Sequence, residues 1–130
     1  MSHSILHVGI TSSEIAMAVG AENAAKWIDI VEKGIAKDKA AFEAAGMRYE
    51  FMGYTSTEGM GRLEKKLKEG DYDGVGVGWG IRGTKEMTAF FEELINTIHT
   101  QAPNAKFLFN TAPDGTFEAA TRQFSDVKTA

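Results

Sequence analysis

Arg82 is the residue with the clearest capacity for chemistry. It stands in Gly78-Trp-Gly-Ile-Arg-Gly83, a glycine-rich turn between a β-branched run and a long amphipathic stretch. A guanidinium at such a strand-to-helix turn can grip a carboxylate or phosphate through paired hydrogen bonds. Free backbone N–H groups there already favour an anion. Trp79 offers a flat face for stacking, and Gly80 lets the backbone come close to a ligand. Asn110 and Thr111 end a later strand and could orient a substrate by hydrogen bonding. Ser12 and Ser13 follow the first strand, and Glu14 is the single carboxylate in residues 12–20. Together these types describe acid–base work on a small anionic molecule, with a non-catalytic module that binds a small ligand or a partner protein as the alternative. Glu14 would be the general acid or base and Arg82 would hold the charge. Ser12, Ser13, Trp79, Gly80, Asn110 and Thr111 would bind the rest. Isomerisation, elimination and cyclisation belong to this class, and none needs a metal or redox cofactor.

Each of these residues also has a structural alternative. Arg82 could pair with Glu14, Glu58 or Asp114, and Trp79 could pack against a helix. Asn110 and Thr111 could cap the last helix. The Ser12–Gly20 stretch could be an extra helical turn rather than a loop over the site. The histidines His3, His7 and His99 show no metal-ligand spacing. His7 reads as a core histidine inside the first strand, His99 as a cation favoured by a helix C-terminus, and His3 as part of a frayed end. There is no cysteine, which removes disulfides, thiol nucleophiles and thiolate metal sites.

These residues must be positioned by the elements around them. Ser4–Thr11 reads as a buried strand. A helix follows from Glu22 or Asn23 to Ala45, with Ala24, Ile28, Val31, Ile35 and Phe42 at helical spacing. Met47–Tyr54 alternates as a second strand, and Arg62–Glu69 is a short helix. Gly74–Trp79 is a third strand in which every second residue is glycine. Thr84 is placed to cap the clearest helix, carrying Met87, Phe90, Phe91, Leu94, Ile95 and Ile98, with Pro103 after its end. Ala105–Asn110 is a fourth strand, Asp114–Phe124 a last helix and Ser125–Ala130 a frayed tail. Strands alternating with helices predict an α/β fold with a small doubly wound parallel sheet, order 2-1-3-4 and helices on both faces. Four strands leave two edges, so a fifth strand or a homodimer is expected to cover one. Residues 1–130 read as one domain.

Other nucleotide and phosphate motifs fit poorly. Gly78-Trp-Gly-Ile-Arg-Gly83 matches the dinucleotide fingerprint, but it follows the third strand rather than the first, and Asn110 stands where a ribose-binding acid belongs. The chain has no second half for a nicotinamide. Thr11-Ser-Ser13 is only a fragment of an FMN phosphate loop. A receiver domain would need acids where Ser12 and Ser13 stand, and no P-loop occurs. The net charge of -4 and the lack of a basic run disfavour nucleic acid. No stretch is long and apolar enough to span a membrane, and Met1-Ser-His-Ser does not open a signal peptide, so cytoplasmic residence is the default expectation.

The segments Gly76–Arg82, Phe91–His99, Ala102-Pro103 and Phe109–Pro113 resemble a group of small single-domain Rossmann-like or flavodoxin-like proteins of fungi and bacteria. The resemblance covers mainly the C-terminal half. It implies the fold and a shared site around Arg82, Asn110 and Thr111, and it carries over no reaction.

Overall fold

The computed structural model describes residues 3–127. Strands β1 (Ser4–Ile10), β2 (Arg48–Tyr54), β3 (Gly74–Val77) and β4 (Lys106–Leu108) form an all-parallel sheet in the order β2-β1-β3-β4. Side chains alternate across it, as the two-residue period of a strand requires. Leu6, Val8, Met52, Tyr54, Val75 and Val77 face one side. Helices α3 (Gly61–Gly70) and α5 (Thr88–Gln101) cover that side with Leu63, Leu67, Phe90, Leu94 and Ile98. Ile5 and Leu108 face the other, under Phe42 of α2 (Ala21–Ala44) and Ala119 and Ala120 of α6 (Thr116–Gln123). Burial on both faces is what makes a parallel sheet stable and its strands continuously apolar. Since α2 and α5 lie on opposite faces, the winding reverses between β1 and β3. The C-terminal ends of those two strands therefore form the switch point of the fold.

The sequence-based boundaries shift in instructive places. Residues expected as a loop form α1 (Ser12–Val19). Glu14 sits in its first turn, where the helix dipole favours an acid. Gly20 stops it at φ 84°, a backbone angle that costs glycine little. Its N–H closes the last turn on the Ala16 carbonyl. The Gly80–Gly83 turn is a one-turn helix, α4 (Trp79–Arg82). A 3-10 turn at Lys85–Met87 follows, so the long amphipathic helix starts at Thr88. Thr84 makes no cap and donates its hydroxyl to the Gly80 carbonyl instead. The residues before Lys128 do not fray either. His3 stacks on Phe124 with ring centroids 4.3 Å apart, and its Nε2 lies 2.8 Å from Asp126. Val127 packs on the second core. The remainder of the expected tail, residues 128–130, lies outside the described residues.

Gly34 shows how closely α2 is fitted. A Cβ there would lie 2.6 Å from the Pro113 carbonyl carbon, between α2 and the loop that leads to α6. Backbone cannot yield as a side chain can. Gly34→Ala gains about 1 kcal/mol of helix propensity but forces an overpacking cost of about 1–3 kcal/mol. The urea midpoint is expected to fall. A midpoint at or above wild type would show that α2 and Pro113 do not touch.

Candidate functional site

The C-terminal ends of the strands form one rim, and Asn110 ties its β4 half together. Beyond β4 the chain turns, and the Asn110 side chain, only 5% exposed, points back to the sheet. Its Oδ1 accepts the Trp79 N–H at 2.9 Å, and its Nδ2 donates to Thr116 Oγ1 at 3.1 Å. Its carbonyl accepts Arg82 Nη1 at 2.7 Å. One residue thus fixes the start of α4, the start of α6 and the Arg82 side chain.

Arg82 ends α4 and lies between two rings. Its guanidinium carbon is 5.3 Å from the Trp79 ring centroid and 4.7 Å from that of Phe109. Among the described residues it has no carboxylate partner, so the salt bridges to Glu14, Glu58 or Asp114 considered from sequence do not form. Partial burial lowers its pKa from the ordinary arginine value, without threatening its charge at neutral pH. Trp79 is 54% exposed. Phe109 stacks in turn on Phe107, with planes 7° apart. These two rings, with Phe91, Glu92, Ile95 and Asn96 of α5, line a groove of about 320 Å³ along the open β4 edge. Arg82 therefore sits at the end of an apolar trough, sharing Phe109 with it.

The β2 half of the rim is held differently. Ser56 donates its N–H and its hydroxyl to Glu14 Oε1 at 2.7 and 2.9 Å. Arg62 pairs with Glu58 and donates to the Gly53 carbonyl. Thr11 and Ser13 share a hydroxyl contact at 2.9 Å. Ser12, Ser13 and Glu14 follow β1, and Trp79 and Arg82 follow its neighbour β3. Ser12, Ser13, Gly80 and Thr111 are exposed, and a Cβ at Gly80 would meet Ile10. The sequence predicts a single crevice lined by Ser12, Ser13, Trp79, Gly80, Arg82, Asn110 and Thr111. Glu14 is bonded to Ser56 beyond β2, while Trp79, Arg82 and Asn110 are bonded to one another beyond β3 and β4. The trough beside Arg82 uses Phe91, Ile95, Phe107 and Phe109. Phe91 and Ile95 were legible as apolar residues of the long helix and Phe107 and Phe109 as aromatic residues of an edge strand, but not the groove that they line together. A second cavity, of about 250 Å³, lies at the opposite end of the sheet among Ser4, Arg48, Tyr49 and Tyr72.

A buried polar chain runs inward from Asn110. Asp38, on α2, accepts the Thr116 and Phe117 N–H groups at 3.1 and 3.0 Å and so caps α6 from another helix. Burial pushes its carboxyl above the usual range, against the pull of those same bonds. Thr116 Oγ1 lies 3.5 Å from His7 Nδ1, which the Tyr49 hydroxyl reaches at 2.7 Å. Burial, aided by the Asp38 charge, drives the Tyr49 phenol upward, so it stays protonated. Among the described residues its oxygen has no partner but Nδ1, so the phenol donates and the ring proton sits on Nε2. Among the described residues, no group of three or more His, Asp or Glu side chains could hold a metal ion, and no helix could cross a membrane. No protein-family model, curated protein or solved structure matches this chain.

Burial pushes His7 down to about 4 from 6.5. Between those values the unfolded chain takes up a proton that the native state refuses. Stability is thus full above about pH 6.5 and is lost as pH falls towards about 4, by about 3 kcal/mol in all. Urea unfolding across this window is expected to show that loss in wild type and to miss it in His7→Gln. A wild-type midpoint flat from pH 6.5 to 4.5 would contradict a neutral, buried His7.

Proposed function

We propose that this chain binds a small anionic molecule with a flat or apolar body at the C-terminal rim. Arg82 takes its carboxylate or phosphate, and Trp79 and the Phe107–Phe109 trough take its body. The observation that carries this reading is a guanidinium with no carboxylate partner among the described residues, held by Asn110 between two rings at the mouth of the trough. A net negative chain has every chance to neutralise a rim cation, and among the described residues no carboxylate pairs with this one. Its alignment by Asn110 and stacking lowers the entropy that a flexible cation would lose on binding.

Catalysis of the isomerase, lyase or cyclase kind needs a proton-transfer group beside the anion. Glu14 spends Oε1 on Ser56, on the β2 flank of the rim. The geometry supports binding further than it supports turnover. Two copies paired through the open β4 edge are the competing occupant of the same trough.

Phenyl phosphate is a fitting probe, read by Trp79 fluorescence in a Trp27→Phe background. Arg82→Gln keeps a donor for the Asn110 carbonyl and removes the charge. A lost charged hydrogen bond of about 1.5–3 kcal/mol corresponds to binding about 10–100-fold weaker. Equal affinity in Arg82→Gln, or no binding to wild type, would defeat the reading. A dimeric mass in light scattering that phenyl phosphate leaves unchanged would assign the trough to the copy–copy interface instead.

A further inference from the structure

The trough beside Arg82 runs along a sheet edge whose backbone is only half used. Lys106 donates its N–H to the Asp73 carbonyl, and Lys106, Phe107 and Leu108 pair in register with β3. Peptide groups alternate in direction along a strand, so Lys106 and Leu108 face β3 while Phe107 and Phe109 face outward. β4 is the last strand on that side, and no described strand meets those outward groups. The Phe109 carbonyl alone of the set has a partner among the described residues, Arg122 Nη2 at 2.7 Å. The Phe107 N–H, the Phe107 carbonyl and the Phe109 N–H are left as an open donor, acceptor and donor.

Apolar side chains flank the same edge. Phe107 and Phe109 stack on each other and pack on the α5 side of the sheet. With Phe91 and Ile95 they line the trough of about 320 Å³. A strand laid on β4 would turn every second side chain into this trough. An unpaired edge beside pockets for alternate side chains is the arrangement that takes up an extended peptide as an added strand.

Charge fixes the direction of such a strand and where it stops. Arg82, with no carboxylate partner among the described residues, donates to the Asn110 carbonyl. Arg122 donates to the carbonyl just before it, that of Phe109, and lies 3.6 Å from an exposed Glu118 carboxylate. Two guanidinium groups thus hold consecutive carbonyls at the C-terminal end of β4. A peptide parallel to β4 brings its terminal carboxylate to this end, and an antiparallel one brings its ammonium. Parallel pairing also continues the rest of the sheet. In a parallel ladder the penultimate peptide residue donates to the Phe107 carbonyl and accepts the Phe109 N–H. The residue opposite Phe109 is then the last, because Arg122 already occupies the Phe109 carbonyl that a longer strand would need.

We propose that β4 binds the C-terminal end of a partner protein as a fifth parallel strand, with the terminal carboxylate at Arg82 and apolar last and third-from-last side chains in the trough. This rests on the Arg82 reading and names the ligand class of that site, a peptide carboxylate.

The probe is an N-acetylated hexapeptide acid ending in leucine, serine and leucine, titrated into the ¹⁵N-labelled full chain. It is expected to bind saturably and to protect the Phe107 and Phe109 amides from hydrogen exchange. The same peptide with a C-terminal amide should bind about 10–100-fold more weakly, and so should the acid with Arg82→Gln. Methylating the penultimate peptide nitrogen removes the donor for the Phe107 carbonyl and should weaken binding about tenfold or more. No saturable binding of the acid, unchanged exchange at Phe107 and Phe109, or equal binding of the methylated peptide overturns the added strand. So does a dimeric mass that the peptide acid leaves intact, which gives the edge to a second copy. The first three of these results leave phenyl phosphate binding at Arg82 standing. Failure of the Arg82 reading looks different: acid and amide then bind alike, which overturns the carboxylate contact and the rim reading together.

Discussion

Asn110 is the point on which the C-terminal rim depends. Its side-chain oxygen, its side-chain nitrogen and its carbonyl are each engaged within the protein, at both ends of α4 and at the start of α6. A buried amide is costly unless every group is met, so the arrangement tolerates little slack. That is why the one-turn α4 can exist. Four residues cannot hold a helix by their own propensity, and here the first N–H is taken by a side chain from the end of the neighbouring strand. The consequence reaches function through Arg82, whose guanidinium is aimed before any ligand arrives.

Much of the fold was legible because it rests on periods. The continuous apolar run of β1, the alternation in β2 and the four-residue spacing of Phe90, Leu94 and Ile98 demand buried faces that a two-sided parallel sheet satisfies. What escaped lacks a period or depends on distant partners. Ile15, Met17 and Val19 fall two apart, which hides a helix, and Met17 is 80% exposed, so no apolar stripe marks α1. The same limit governs the site. Asn110 was legible as a polar residue at a strand end, a suitable place for a ligand contact. Nothing local says that Trp79 and Thr116 consume its side chain. His7 was legible as a buried histidine, but its contact with the Tyr49 hydroxyl appears only once β2 is seen beside β1.

The rim is asymmetric as a result. Its β2 flank is stitched by Glu14 to Ser56 and by Arg62 to Glu58, which pairs each charge with a partner. Its β4 flank keeps a cation, exposed aromatic surface and an open strand edge together. Natural sheets usually blunt such an edge, and Arg122 does so at one point by donating to the Phe109 carbonyl. The apolar trough beside it is left uncovered by the described residues. A surface of this kind, small and next to a preset charge, suits a small ligand better than a broad interface.

Backbone ¹H–¹⁵N shift mapping with phenyl phosphate tests the rim most directly, because it asks where the anion goes without presuming which residue holds it. The account predicts perturbations concentrated on Trp79 including its indole N–H, on residues 80–83, and on Phe107, Phe109 and Asn110. Saturable shifts gathered instead around Ser4, Arg48 and Tyr72, at the other end of the sheet, would contradict it, as would no saturable shifts at all.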